Sequence, residues 1–246
     1  YIKKYNYENN VIASINVINS CVKHQIKKLI FSSSMAVYGS QQTPFSEDMK
    51  PHPEDSYGIA KYCVEQDLKD SYIHFGLDYA IVRPHNVFGP KQNIWDKYRN
   101  VIGIWLRQAL NNQPLSIFGD GKQTRAFSNI KYYMKPFEKL IHKHTDVILN
   151  IGADQYYKII DVANIVKNIA EKHGLNTKIK HFEPRNEVKY AFCNHDKAKS
   201  LLDFKDETNL EKLIEEMFIW AKSQPERTVK YMDYELTKNL YSFWKI

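Results

Sequence analysis

Apolar residues recur at Val11, Ile12, Ile15, Ile18 and Val22, a helical spacing that predicts one helix over residues 6–25 with a single apolar face. The pattern then changes. Lys28-Leu29-Ile30-Phe31 runs into Ser32-Ser33-Ser34, as expected of a buried parallel strand with small polar residues at its carboxyl end. Pro44, Pro51 and Pro53 mark residues 40–54 as loop. Ser56 is placed to cap a helix from Tyr57 to His74, and Gly76 stops it. Tyr79 to Pro84 reads as a second buried strand. A helix over 98–111, a short strand Leu115–Phe118, the turn Gly119-Asp120-Gly121 and a helix over 133–143 follow. Val147 to Gly152 is a third core strand and Ile159 to His173 a further helix. Residues 177–183 read as an edge strand, with late helices near 195–202 and 208–223. Strand and helix alternate, so the class is α/β with a mostly parallel sheet.

Composition narrows the picture. The 246 residues suffice for one large domain or two small ones. No apolar run approaches the ~20 residues needed to span a bilayer, and the polar start Tyr1-Ile2-Lys3-Lys4-Tyr5-Asn6 lacks the apolar core of a signal peptide. A cytoplasmic protein is expected. Cys21, Cys63 and Cys193 are odd in number and far apart, which predicts reduced thiols and no metal site. The net charge of +7 comes from Lys spread along the whole chain, with no dense basic block, so nucleic acid is not the expected partner.

In such sheets ligands bind beyond the carboxyl ends of the strands. Ser32–Ser34, Asn86 and the loop after Gly152 lie there. Tyr57 and Lys61 share a face at the start of the following helix, so a phenol and an ammonium can enter one cleft. A nearby cation favours the phenolate and lowers its pKa, and the hydroxyl of Ser34 can hydrogen-bond the group that exchanges a proton with Tyr57. The Tyr-x-x-x-Lys spacing alone carries little, because it recurs at Tyr234/Lys238 and Tyr241/Lys245. Its position after a strand-end serine gives it weight.

Four segments together carry a resemblance. Phe31 to Gly39 (FSSSMAVYG), Tyr57-Gly58-Ile59-Ala60-Lys61, Arg83 to Pro90 (RPHNVFGP) and Ile117 to Arg125 (IFGDGKQTR) resemble, in order, the signatures of the extended short-chain dehydrogenases/reductases of the NAD-dependent epimerase/dehydratase type. A looser match surrounds Arg185. The resemblance implies an incomplete Rossmann-like, doubly wound parallel sheet with a smaller α/β substrate-binding domain. Residues 1–90, with a return segment at about 133–173, would form the NAD-binding part, and 91–132 with 174–246 the nucleotide-sugar-binding part.

It implies Ser34, Tyr57 and Lys61 as the catalytic set. Tyr57 would be the acid/base, and Lys61 would hold the nicotinamide ribose and depress the Tyr57 pKa. Asn10, Ser32, Ser33 and Pro84 would complete the NAD contacts. Ser34, Asn86, Arg125 and Arg185 would hold a UDP-sugar, with Glu187 a loop contact or an ion-pair partner of Arg185. His85, beside the nicotinamide path, is expected to be a buried, hydrogen-bonded histidine. A homodimer through the helices around 6–25 and 57–74 is also implied.

Three departures inform the reading. Asn129-Ile130-Lys131-Tyr132 replaces the acid pair that usually follows the Arg125 segment, which puts the local packing in question. Met35-Ala36 stands where dehydratases carry Asp-Glu, which points towards 4-epimerisation of the UDP-glucose/UDP-galactose type. A dehydratase, a decarboxylase and a non-catalytic nucleotide-sugar-binding fragment are the alternatives. No Gly-x-x-Gly-x-x-Gly turn occurs in the chain, so the pyrophosphate cradle is expected to lie outside it. The chain alone is expected neither to hold NAD tightly nor to turn over.

Overall fold

The computed structural model describes residues 2–143, 145–231 and 233–244. In chain order the elements are α1 (Lys3–Tyr7), a π-helical turn (Glu8–Ile12), α2 (Ala13–Lys23), β1 (Lys28–Ser32), a 3-10 turn (Met35–Tyr38), α3 (Ser56–Phe75), β2 (Asp78–Pro84), β3 (Val87–Phe88) and α4 (Val101–Leu110). They continue with β4 (Leu115–Phe118), β5 (Thr124–Ala126), β6 (Ser128–Asn129), α5 (Met134–His142), β7 (Val147–Ile151), β8 (Tyr156–Lys158) and α6 (Ile159–Lys172). β9 (Ile179–Phe182), β10 (Tyr190–Ala191), α7 (Asp196–Leu202) and α8 (Leu210–Lys222) complete the order.

The three apolar runs form one parallel sheet in the order β1-β2-β7. Ser32, the last residue of β1, is level with Val82, and β2 and β7 run two residues further to the paired Pro84 and Ile151. Helices cover both faces. On one, Ile18 of α2 and Val64 and Leu68 of α3 bury Tyr79 and Ile81. On the other, Leu140 of α5 and Ala198 and Leu202 of α7 bury Ala80, Val82 and Leu149. This double covering is why the strands read as continuous apolar runs. A second core gathers α4, α6 and α8 around Trp105, Val166 and Phe218, beside the parallel pair β4–β9. Residues 133–151 thus return to the three-stranded sheet, while α6 packs with α4 and α8.

Local chemistry sets the helix ends. α3 is capped by Asp55, whose carboxylate accepts from Gly58 N at 2.6 Å, and not by Ser56 as the sequence suggested. Ser56 is already the first helical residue, and a carboxylate one position earlier fills the capping role. Gly76 ends α3 in the left-handed region at φ 70°. Short strands that periodicity missed carry candidate residues: β5 holds Arg125, paired to β10 in parallel and to β8 antiparallel.

The Asn129 segment is packed without its usual acids. The Asn129 side chain accepts from Lys131 N at 3.1 Å and caps a 3-10 turn over Ile130–Tyr133. Ile130 packs so closely on Gly89 that a Cβ there would sit 2.7 Å from Ile130 Cγ2.

Candidate active site

The cleft opens at the carboxyl ends of β1, β2 and β7. Ser34 leaves β1 with extended backbone and accepts from Ala36 N at 3.1 Å, turning the chain into the 3-10 helix. Gly58 seats the first turn of α3 on that loop: a Cβ there would lie 2.6 Å from the Ala36 carbonyl oxygen. Only a residue without a side chain permits this approach. It brings Tyr57 beside Ser34, whose side chain acts to lower the Tyr57 pKa.

Lys61, one turn on, donates from Nζ to the Ser32 carbonyl at 3.0 Å. The ammonium lies 4.9 Å from the Phe31 ring centroid and 5.8 Å from that of Tyr57. Ser34, Tyr57 and Lys61 therefore meet in one place.

The electrostatics differ from expectation in one respect. Burial raises the Tyr57 pKa; the Ser34 hydrogen bond and the Arg99 charge pull it down, and Asp55 pushes it up. Lys61 is not the cation that opposes the burial, since its ammonium is turned to Ser32 and Phe31. Burial, reinforced by Arg99, lowers the Lys61 pKa as well. Arg99, in the loop between β3 and α4, thus contributes charge to both pKa shifts, an influence that sequence reasoning missed. No motif surrounds it.

Ser33 points away from the cleft. Its side chain is buried and donates to Glu65, while its amide donates to Val82 O at 2.8 Å. Glu65 and Arg83 form a buried two-pronged ion pair, Nε to Oε1 at 2.9 Å and Nη2 to Oε2 at 2.6 Å. Arg83 also donates to the Tyr38 hydroxyl, which donates to Asn150. This network ties the ends of all three strands to α3. A charged residue inside each apolar pattern was its only trace in the sequence.

Asn10 lies in the π-helical turn and donates to the backbone and side-chain oxygens of Asn6, at 3.0 Å each. Asn6 in turn donates to Ser56 O at 2.8 Å, linking this turn to the start of α3. Such π-turns gather at functional positions. Ser32 is exposed at the end of β1, and Pro84 is half-buried at the end of β2. His85 is buried; its Nε2 faces Ala153 O at 3.5 Å and its ring stacks on His195 at 5.0 Å. Burial, with His195 beside it, drives the His85 pKa down to about 3.

The other candidates sit after β2, on β5 and after β9. Asn86, at φ 42°, donates from Nδ2 to Ala126 O at 2.8 Å, holding the β2 exit against β5. Arg125 is mostly buried and pairs with Glu187 at 3.0 Å, which decides the Glu187 alternative in favour of Arg125 as its direct partner. Arg185 lies over Phe118, its Cζ 3.2 Å from the ring centroid, with Trp244 4.6 Å away. Its Nε is buried with no hydrogen-bond partner among the described residues. Desolvation takes the Arg185 pKa down to about 10, and Glu187 works against that shift. Glu187 thus stands within the field of both arginines. Among the described residues no group of His, Cys, Asp and Glu side chains is placed to hold a metal ion, and no helix is long and apolar enough to cross a membrane.

Known proteins resemble this chain. A Methanocaldococcus jannaschii protein, whose UDP-glucose 4-epimerase name is provisional, is 31% identical over 89% of this chain and 71% of its own length. The UDP-N-acetyl-alpha-D-glucosaminuronate decarboxylase of Bacillus cytotoxicus is 32% identical over 71% of this chain and 54% of its own length. The structure of a Thermotoga maritima UDP-glucose 4-epimerase, solved with UDP-glucose, superposes with a TM-score of 0.83 at 26% identity, covering 89% of this chain and 71% of that one. The model of the NAD dependent epimerase/dehydratase family matches residues 2–152, more than half of the sequence and all of the Ser34–Tyr57–Lys61 site, and the chain belongs to that family.

Proposed function

We propose that this chain is the catalytic and sugar-binding part of an NAD-dependent nucleotide-sugar 4-epimerase acting on UDP-glucose or a close analogue. The carrying observation is the convergence of Ser34, Tyr57 and Lys61: the first turn of α3 packs on the loop after Ser34, and Lys61, one turn on, donates to Ser32 O. A sugar hydroxyl placed between the Ser34 and Tyr57 oxygens can be held by the first and give its proton to the second. After the sugar turns over, Tyr57 returns the proton to the same oxygen, now on a carbon that presents its opposite face.

The residues present fit the nicotinamide-ribose end of NAD. Ser32 is exposed at the strand end, and the Lys61 ammonium keeps two N–H bonds free after its bond to Ser32 O. Lys61 would hold the ribose hydroxyls, and the Asn10 turn and Pro84 would flank the nicotinamide. NAD, when bound, supplies the hydride acceptor and donor for the reacting carbon. Arg125 and Arg185 would grip the diphosphate, since a buried guanidinium N–H without an acceptor suits a phosphate oxygen.

Met35-Ala36 beside Ser34 offers no acid to protonate a leaving hydroxyl, which favours epimerisation over elimination. A decarboxylase remains the second reading, and the Bacillus cytotoxicus relative supports it. A cytosolic homodimer completes the proposal. Its support is the three unpaired cysteines and the exposed Ile12, Val17 and Ile59 on the helices that would meet.

Product analysis tests the reaction. In a protein that also carries the Gly-rich pyrophosphate turn, incubation with NAD and UDP-glucose is expected to yield UDP-galactose. A 4-keto-6-deoxy product would replace the proposal with dehydration, and binding of the sugar nucleotide without any product would replace it with a non-catalytic binding module.

A further inference from the structure

Arg185 lies in the loop between β9 and β10, and a distant segment of the chain closes on that loop. The Tyr241 hydroxyl accepts from Asn186 N at 2.9 Å, across 55 residues. Ser242 donates twice to Glu183 Oε1, from its amide at 2.8 Å and from its hydroxyl at 2.7 Å. Phe243 meets Phe118 and Phe182 edge-on, with centroids 5.1 and 4.9 Å away. Trp244, buried at the end of a 3-10 turn over Ser242–Trp244, places its ring 4.6 Å from Arg185 Cζ. Four consecutive residues thus engage Arg185 itself, the loop before and after it, and the Phe118 ring beneath it.

The segment is anchored in its turn on the loop between β3 and α4. Tyr231 accepts from Lys97 N at 2.8 Å and donates to Trp95 O at 2.9 Å, and Trp244 packs on Tyr98 at 4.7 Å. Arg185 gains from such a hold. A long, rotamer-rich side chain loses freedom when it grips a ligand, and that loss opposes binding unless the fold has imposed it beforehand. Ring faces restrain a guanidinium without occupying its N–H groups. The buried Nε of Arg185 accordingly keeps no hydrogen-bond partner among the described residues.

We propose that Tyr241 to Trp244 form a clasp of positioning residues that pre-sets Arg185 for the diphosphate of the nucleotide sugar, with Trp244 its main member. This rests on the reading of Arg185 as a diphosphate ligand. Trp244 acts through the arginine and not on the nucleotide.

Calorimetric titration of the 246-residue chain with UDP tests this in a cycle of wild type, Arg185→Ala, Trp244→Ala and the double variant. Loss of charged hydrogen bonds in Arg185→Ala should weaken UDP binding roughly 10- to 100-fold. Loss of one ring in Trp244→Ala should weaken it roughly 2- to 30-fold. The double variant should bind no more weakly than Arg185→Ala, because the ring has nothing left to position. Trp244→Phe, which keeps a ring face, should restore most of the affinity. Tyr241→Phe removes a single acceptor from the loop and should give a smaller loss that also vanishes in the Arg185→Ala background. Should Trp244→Ala not fold, the Tyr241→Phe comparison decides alone. Unchanged binding in Trp244→Ala, or a Trp244→Ala loss of the same factor with and without Arg185, overturns the clasp and leaves Arg185 as the diphosphate ligand. Unchanged binding in Arg185→Ala overturns that reading and the clasp with it. Failure of the wild type to bind UDP overturns both.

Discussion

Replacing Glu65 by Leu should be among the most damaging single changes in the chain. Glu65 is fully buried and Arg83 is 2% exposed. The substitution removes the acceptor of three donors at once: Nε and Nη2 of Arg83 and the hydroxyl of Ser33. Arg83 keeps its bond to Tyr38 but is left as an uncompensated charge in the core. Breaking such a pair costs about 3–5 kcal/mol. At about 2–4 °C per kcal/mol for a chain of this size, the thermal midpoint should fall by roughly 6–20 °C.

The double substitution Glu65→Leu with Arg83→Met should recover most of the loss, because it strands only hydroxyls that can rotate. Removing both charges often leaves stability unchanged or improved. Urea unfolding of the four proteins in this cycle measures the coupling directly. A cost below about 1 kcal/mol for Glu65→Leu would refute the assignment of the pair as the fastening of the strand ends. So would a double variant as unstable as the sum of the single ones.

Three further outcomes are expected. In a protein that also carries the Gly-rich pyrophosphate turn, Tyr57→Phe should lower turnover by at least about 10²- to 10⁴-fold while UDP-sugar binding persists, as steady-state rates and calorimetry would show; retained activity removes Tyr57 from the acid/base role. Gly152→Ala should destabilise the fold by about 1–3 kcal/mol, because its Cβ would fall 2.0 Å from Cε1 of a His85 ring already stacked on His195; an unchanged unfolding midpoint would contradict that packing. Stability should also decline as pH falls from 6.5 towards about 3, since the unfolded His85 takes up its proton near 6.5 and the folded one only near 3. Asp154, held down to about 2 by its hydrogen bonds to His195 and Lys199, adds a second loss below its ordinary 3.8. His85→Phe should flatten the upper limb alone, and an unaltered slope in denaturation followed against pH would count against a neutral buried imidazole.

Periodicity and end signals were enough for the main elements. The runs at 28–34, 79–84 and 147–152 read as parallel strands because burial on both faces leaves no polar alternation to disguise them. Gly76 marked the end of α3 because its left-handed backbone is open to glycine. Ser34, Tyr57 and Lys61 were legible because a strand end, a loop and a helix start fix their relation along a short stretch of chain. The cap of α3 was misplaced by one residue, since Ser and Asp are adjacent and both can serve.

What the sequence left hidden depends on long-range pairing. β5, β8 and β10 are two or three residues each, too short for a period, and exist because separate segments supply each other's hydrogen bonds. Ser33 looked equivalent to Ser32 and Ser34, yet alternation along the strand end turns its side chain to Glu65, thirty-two residues away. Glu187 stood open between a loop contact and an ion pair with Arg185, and chain folding pairs it directly with Arg125. Arg99 carries no motif at all. The sequence determined that a phenol, a hydroxyl and an ammonium share one cleft, because local geometry suffices for that. Only the tertiary structure decided which cation bears on the phenol, because electrostatic fields follow distance through space and not distance along the chain.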